Sequence, residues 1–156
     1  MHSAAPRQIS FLAFCTANVI VDVEPLYYMV TGQFPLHRLF HTYIGVSPVI
    51  AATVGLFAGA LRLAAVVPVP DVFGWKQLTL RAVVIGAALG GYSHIVFDSI
   101  MHSDIRPLAP FSQSNALFQV VPLQTLHLSC IGAGALGLVV LGVRKMLRGK
   151  SDSAKR

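Results

Sequence analysis

The stretch AVVIGAALGGYSHIVFD, Ala82 to Asp98, decides how this chain is read. It runs without a formal charge from Ala82 to Phe97 and then meets Asp98, with His94 one helical turn earlier. A run of that length is too long for an ordinary buried strand and suits a helix in lipid. Three further stretches share its character. One begins at Gln8 and is apolar to Val21; it is short for a bilayer that needs about 20 residues, so it is expected to continue past Asp22 and Glu24 towards Tyr28. Another covers Tyr43 to Leu61, and the last covers Val121 to Val143, where Gly132, Gly134 and Gly137 offer a small-residue face.

Composition agrees with lipid as the solvent. Of the 156 residues, 54% are apolar and only 12% are Asp, Glu, Lys or Arg, against about 25% charged in a soluble domain. The mean hydropathy is +0.67. The expected fold is all-α: an integral membrane bundle of four transmembrane helices, one domain over 1–148, with a basic, disordered tail over 149–156. Turn signals place the connections. Gly32 and Pro35 mark the first, Pro68, Pro70 and Gly74 the second, and Ser103 to Gln119, with Pro107 and Pro110, the third. This last loop, between helices 3 and 4, is the longest, and long loops are often functional.

The net charge of +6 does not point to nucleic acid. Arg144, Lys145, Arg148, Lys150, Lys155 and Arg156 follow the last apolar run, as a cytoplasmic anchor does. They lack interleaved aromatic residues and any nucleic-acid motif. Cys15 and Cys130 sit inside apolar runs without CxxC spacing and read as packing residues. Arg7 alone makes a poor signal-peptide start, so the first span is expected to be retained.

With four spans and a cytoplasmic tail, both termini and the second loop face the cytoplasm, and the first and third loops face outward. The expected location is a bacterial inner membrane. Asp22, Glu24, His37 and His41 then flank the first loop, and His94, Asp98, His102, Asp104 and His127 the third. Five of the six histidines and four of the six acidic residues therefore share one membrane face.

Residues four apart share a helical face. His37 with His41, and His94 with Asp98 continued by His102, form two such sets. Imidazoles and carboxylates from facing helices suit a divalent transition metal, zinc or manganese foremost, or iron, better than calcium or magnesium. The expected metal ligands are His37, His41, His94, Asp98, His102, Asp22 and Glu24. This supply exceeds the needs of one four-coordinate ion: it serves two ions, or one ion with carboxylates orienting the imidazoles. Duller readings exist for each piece. His127 is as well explained by a helix–helix hydrogen bond, Asp98 could pair with Arg38 or Arg106, Asp71 and Asp152 read as solvated charges, and His2 is terminal.

DVE (Asp22 to Glu24), HRLFHT (His37 to Thr42) and GGYSHIVFDSIMHSDIRPLAPF (Gly90 to Phe111), in this order among apolar spans, resemble the YdjM-like membrane-bound metal-dependent hydrolases. The resemblance covers about residues 18 to 111. It implies that Asp22, Glu24, His37, Arg38, His41, His94 and Asp98 are metal ligands or their close neighbours. Two departures stand out: the spacing from His37 to His41 is one residue shorter than the family's usual form, and Glu24 stands where Asp is common. His102 and Asp104 have no counterpart there and rest on spacing.

The expected activity is metal-assisted hydrolysis of a lipid-like ester or phosphoester at the outer membrane face, with membrane lipid as partner and no nucleic acid. Asp22 or Glu24 completes the metal shell or acts as general base, and Arg38 and Arg106 hold an anionic oxygen. The alternative is a non-catalytic metal-binding or scaffold membrane protein.

Overall fold

A computed structural model describes residues 8–153. His2, Arg7, Lys155 and Arg156, on which parts of the reading above fall, lie outside the described residues. The described residues are helical with no strand. The helices are α1 (Phe11–Val21), α2 (Val23–Val30), α3 (Val46–Leu63), α4 (Leu80–Met101) and α5 (Leu123–Ser153), with a short 3₁₀ segment at Val72–Gln77 in the second loop. The chain divides into two compact units, Met1–Phe118 and Gln119–Arg156.

Among the described residues three helices, rather than the expected four, are long and apolar enough to cross a membrane: Val46–Leu63, Leu80–Met101 and Leu123–Arg144. The first expected span is broken. α1 has 11 residues, which at about 1.5 Å per residue covers roughly half of a 30 Å hydrocarbon core. Its helix stops at Asp22 because Pro25 has no N–H to give to the Val21 carbonyl. Leu26 resumes the ladder by donating to the Asp22 carbonyl at 3.1 Å, and α2 begins. At the other end of α1, Ser10 caps the helix, its hydroxyl oxygen accepting from the Ala13 N–H at 3.1 Å.

In the second unit, α5 runs to Ser153, past Gly149 where the sequence suggests disorder.

In the first unit, α1 lies against α4 and α3, and α3 against α4. The Ser10 N–H donates to the Ala82 carbonyl, Phe14 lies beside Gly90, and Asn18 meets His94. Positions rise together along both helices, so α1 runs parallel to α4. Gly86 and Gly90, one turn apart on α4, permit this approach. A Cβ at Gly86 would collide with the Ser10 carbonyl oxygen, and one at Gly90 with that of Phe14.

The small core follows from that geometry. Ala13, Ala17, Val83, Ala87 and Leu78 pack at one level, and Val21, Val46, Val49 and Ile95 at another. Leu56, Val84 and Leu89 remain exposed on α3 and α4, as expected where lipid covers the outer face. The second cluster lies beneath the first and third loops, and these two loops therefore share one end of the unit.

Candidate metal centre

The ends of α1 and α4 bring the first side chains together. His94 and Asp98 sit one turn apart near the end of α4, as the spacing predicts. Asp22, at the break after α1, reaches them from the neighbouring helix: its Oδ1 is 3.1 Å from His94 Nε2. The fourth member is His41, fully buried in the first loop, with Nε2 3.6 Å from Asp98 Oδ2 and 3.9 Å from Asp22 Oδ1. Donor atoms of Asp22, His41, His94 and Asp98 all lie within 4.8 Å of one another.

The first loop is not helical, contrary to the reading of His37 and His41 as a helical pair. Two carboxylates shape it instead. One Glu24 oxygen accepts the backbone N–H groups of Arg38 and Phe40, each at 3.0 Å. Asp104 Oδ2 accepts those of Leu36 and His37 at 3.0 and 3.2 Å. Tyr43 further donates to the Pro107 carbonyl, joining the first loop to the third. His37 and His41 still stack edgewise, ring centroids 4.6 Å apart.

Each of the three imidazoles has its Nδ1 beside a fixed polar oxygen. His41 Nδ1 is 3.3 Å from Glu24, His94 Nδ1 is 3.0 Å from Asn18 Oδ1, and His37 Nδ1 is 3.0 Å from Asp104. For His41 and His94, such partners are those that fix the tautomer in metal sites and turn the other nitrogen to the ion. The Nε2 atoms of His41 and His94 are buried and make no hydrogen bond among the described residues. His94 Nε2 lies 3.1 Å from oxygens of both Asp22 and Asp98, yet the angles are unsuitable for a hydrogen bond. Buried polar atoms without partners are rare in native proteins. Two imidazole lone pairs and two carboxylates converging off-axis are what a four-donor transition-metal shell requires.

Electrostatics around the first loop follow the same pattern. Burial opposes a proton on His41, but Asp98 and Glu24 outweigh it and raise the pKa above the ordinary histidine value. Acids that favour a proton there also favour a metal cation. Burial pushes Glu24 up, yet the His41 ring and the Phe40 and Arg38 N–H groups hold it below the usual carboxylate range. Burial also lowers His37, with the nearby His41 and His102 rings acting in the same direction against Asp104.

The expected ligands thus divide. Asp22, His41, His94 and Asp98 form one group, while His37 and His102 join Asp104 in another. Glu24 belongs to neither and stands behind His41. His102 does not continue the α4 face, because the helix ends at Met101 and His102 turns extended at its cap. Asn115 secures that end by donating to the carbonyls of Ser99 and His102. Asp98 faces histidines rather than Arg38 or Arg106. Arg38 lays its guanidinium over the Tyr28 ring at 3.7 Å, its Nε donating to the Pro35 carbonyl at 3.0 Å. Arg106 donates to the carbonyls of Ser103 and Ile105. Neither arginine has a carboxylate partner among the described residues. Both line a cleft of about 770 Å³ with His37, Asp104 and the apolar Phe34 and Leu39.

Asn18 is the site residue that sequence reasoning missed. Its signal was present: a polar amide inside an apolar run, one helical turn before Asp22. No protein-family model matches this chain, and neither a curated protein nor a solved structure does so.

Proposed function

We propose that this chain is a membrane-bound, metal-dependent hydrolase whose ion is held by Asp22, His41, His94 and Asp98 and whose substrate is a lipid-like ester or phosphoester. The observation that carries the reading is the pair of buried Nε2 atoms, on His41 and His94, that face two carboxylates without hydrogen-bonding to either. The motif order shared with the YdjM-like hydrolases supports the same chemistry. A zinc or manganese ion there would supply Lewis acidity and bring the pKa of a water from 15.7 towards about 7.

The chain's own residues have separable tasks in this proposal. Glu24 and Asn18 hold the His41 and His94 rings in register. Asp22, the most exposed member of the group, takes up a proton from water or completes the shell. Arg38 and Arg106 are free to bind an anionic oxygen of the substrate, and their planar guanidiniums favour a phosphate. The apolar walls of the cleft suit an acyl chain. The first and third loops face away from the cytoplasm if the basic end of α5 is cytoplasmic, and a bacterial inner membrane is the proposed location.

A second reading, a metal-binding scaffold, is favoured by the way Glu24 and Asp104 staple the first loop. One experiment separates the two. Protein in lipid nanodiscs is given ester and phosphoester lipids with and without chelator. Chelator-sensitive turnover, restored by zinc or manganese and lost in a folded His94→Ala variant, supports the hydrolase. Turnover absent throughout, with chelator only lowering the unfolding temperature, would replace it with the scaffold.

A further inference from the structure

We propose that His37, His102 and Asp104 form a second divalent transition-metal site, distinct from the Asp22–His41–His94–Asp98 group and open to the cleft. One donor atom from each of the three lies within 4.8 Å of the other two. The rings of His37 and His102 face each other at 4.5 Å between centroids and a tilt of 34°. Asp104 is already positioned, because its Oδ2 accepts the N–H groups of Leu36 and His37. Both of its oxygens stand 3.0 Å from His37 Nδ1, so that nitrogen, once it gives up any proton, and one Asp104 oxygen are close enough to share an ion after a small adjustment. The ring nitrogens of His102 make no hydrogen bond among the described residues, so nothing competes for the one lone pair a neutral imidazole offers.

Two imidazoles and one carboxylate leave coordination positions open, which is the composition of catalytic rather than structural zinc sites. The surroundings show where those positions face. His37 and Asp104 line the cleft beside Arg38 and Arg106, whereas none of Asp22, His41, His94 or Asp98 does. The edgewise contact of His37 with His41 makes the two groups neighbours. This role rests on the hydrolase reading: the second ion would be the one to meet a substrate oxygen in the cleft. With three protein donors against four, it is also the weaker of the two.

The test is metal stoichiometry of the full chain in nanodiscs, stripped and then titrated with Mn²⁺ or Zn²⁺ against a competing chelator. The expected result is two ions per chain, bound in two steps. His102→Ala should lose the weaker step and keep the tighter one, and Asp98→Asn should do the reverse. His102→Gln serves as a second variant if His102→Ala shifts the unfolding temperature. One ion per chain, kept in both His102 variants and lost in Asp98→Asn, would overturn the second site and leave the first standing. Loss of the only ion in the His102 variants, with Asp98→Asn unaffected, would support this site and remove the first.

Discussion

The Glu24 carboxylate stands 3.3 Å from His41 Nδ1, and the same oxygen receives the backbone N–H groups of Arg38 and Phe40. One acidic side chain thereby sets both the path of the first loop and the orientation of the ring it carries. The tie reaches from α2 to the fully buried His41. Removing it should act on metal affinity and on loop stability by different routes.

Glu24→Ala should weaken the tighter ion by about 10- to 100-fold, the usual effect of losing an outer partner of a metal-bound histidine. Glu24→Gln keeps a carbonyl oxygen for the two N–H groups but loses the charge. It should therefore recover most of the thermal stability while leaving affinity reduced. Chelator competition and thermal unfolding measure the two effects separately. Equal loss of both properties in both variants would show that Glu24 only braces the loop.

Asn18 offers a contrast on the other imidazole. Asn18→Leu removes the oxygen that faces His94 Nδ1 at 3.0 Å, and metal affinity should fall about tenfold or more. Asn18→Asp keeps an acceptor and adds charge, so it should bind at least as tightly as the parent. Parental affinity in Asn18→Leu would remove Asn18 from the site.

How much of this was legible in the sequence depends on what kind of force places each residue. His94 and Asp98 were readable because an uninterrupted apolar run makes helical spacing dependable. α3 and α4 were readable for the same reason, with bounds shifted by a few residues. His37 and His41 end close together as expected, but they sit on a loop stapled by Glu24 and Asp104. Such long-range carboxylate-to-backbone bonds leave no periodic trace. The break at Asp22 was available in Pro25, whose missing N–H is a local rule. The division of the ligands into two groups was not available, because it follows from where α4 stops and His102 leaves the helical face.

The parallel contact of α1 and α4 makes its own prediction. Gly86→Ala and Gly90→Ala place a Cβ against the backbone carbonyls of Ser10 and Phe14. Each should destabilise the unit by about 1–3 kcal/mol, the range for overpacking a close contact. Gly59→Ala, on α3 of the same unit, where an added Cβ meets nothing within 4 Å, should be neutral or slightly stabilising. Unfolding in detergent by heat or denaturant measures the difference, and equal effects at all three positions would contradict the packing described.

Topology can be checked independently of metal. In a chain lacking Cys15 and Cys130, single cysteines replacing Gln33 in the first loop and Gln113 in the third should react with an impermeant reagent from the same side. A cysteine replacing Gln77 in the second loop should react only from the other. Labelling Gln33→Cys and Gln113→Cys from opposite sides would separate Asp22 and His41 from His94 and Asp98 and end the hydrolase proposal.

Arg38 and Arg106 decide what kind of substrate the cleft accepts. Arg38 donates through Nε alone and Arg106 through one Nη alone, each to backbone carbonyls, and the Arg38 guanidinium is steadied by the Tyr28 ring; each cation is thus positioned while its charge and remaining N–H groups are left for a substrate. A hydrogen bond to a charged partner contributes about 1.5–3 kcal/mol, or about 10- to 100-fold in affinity. Arg38→Ala and Arg106→Ala should each raise KM for a phosphoester lipid by that factor and leave kcat within a few fold. A neutral ester lipid should show almost no change. Arg38→Lys should restore only part of the loss, because an ammonium cannot match two phosphate oxygens as a planar guanidinium does. If both ester classes respond equally, the arginines shape the cleft and do not recognise phosphate, and the substrate is an uncharged ester.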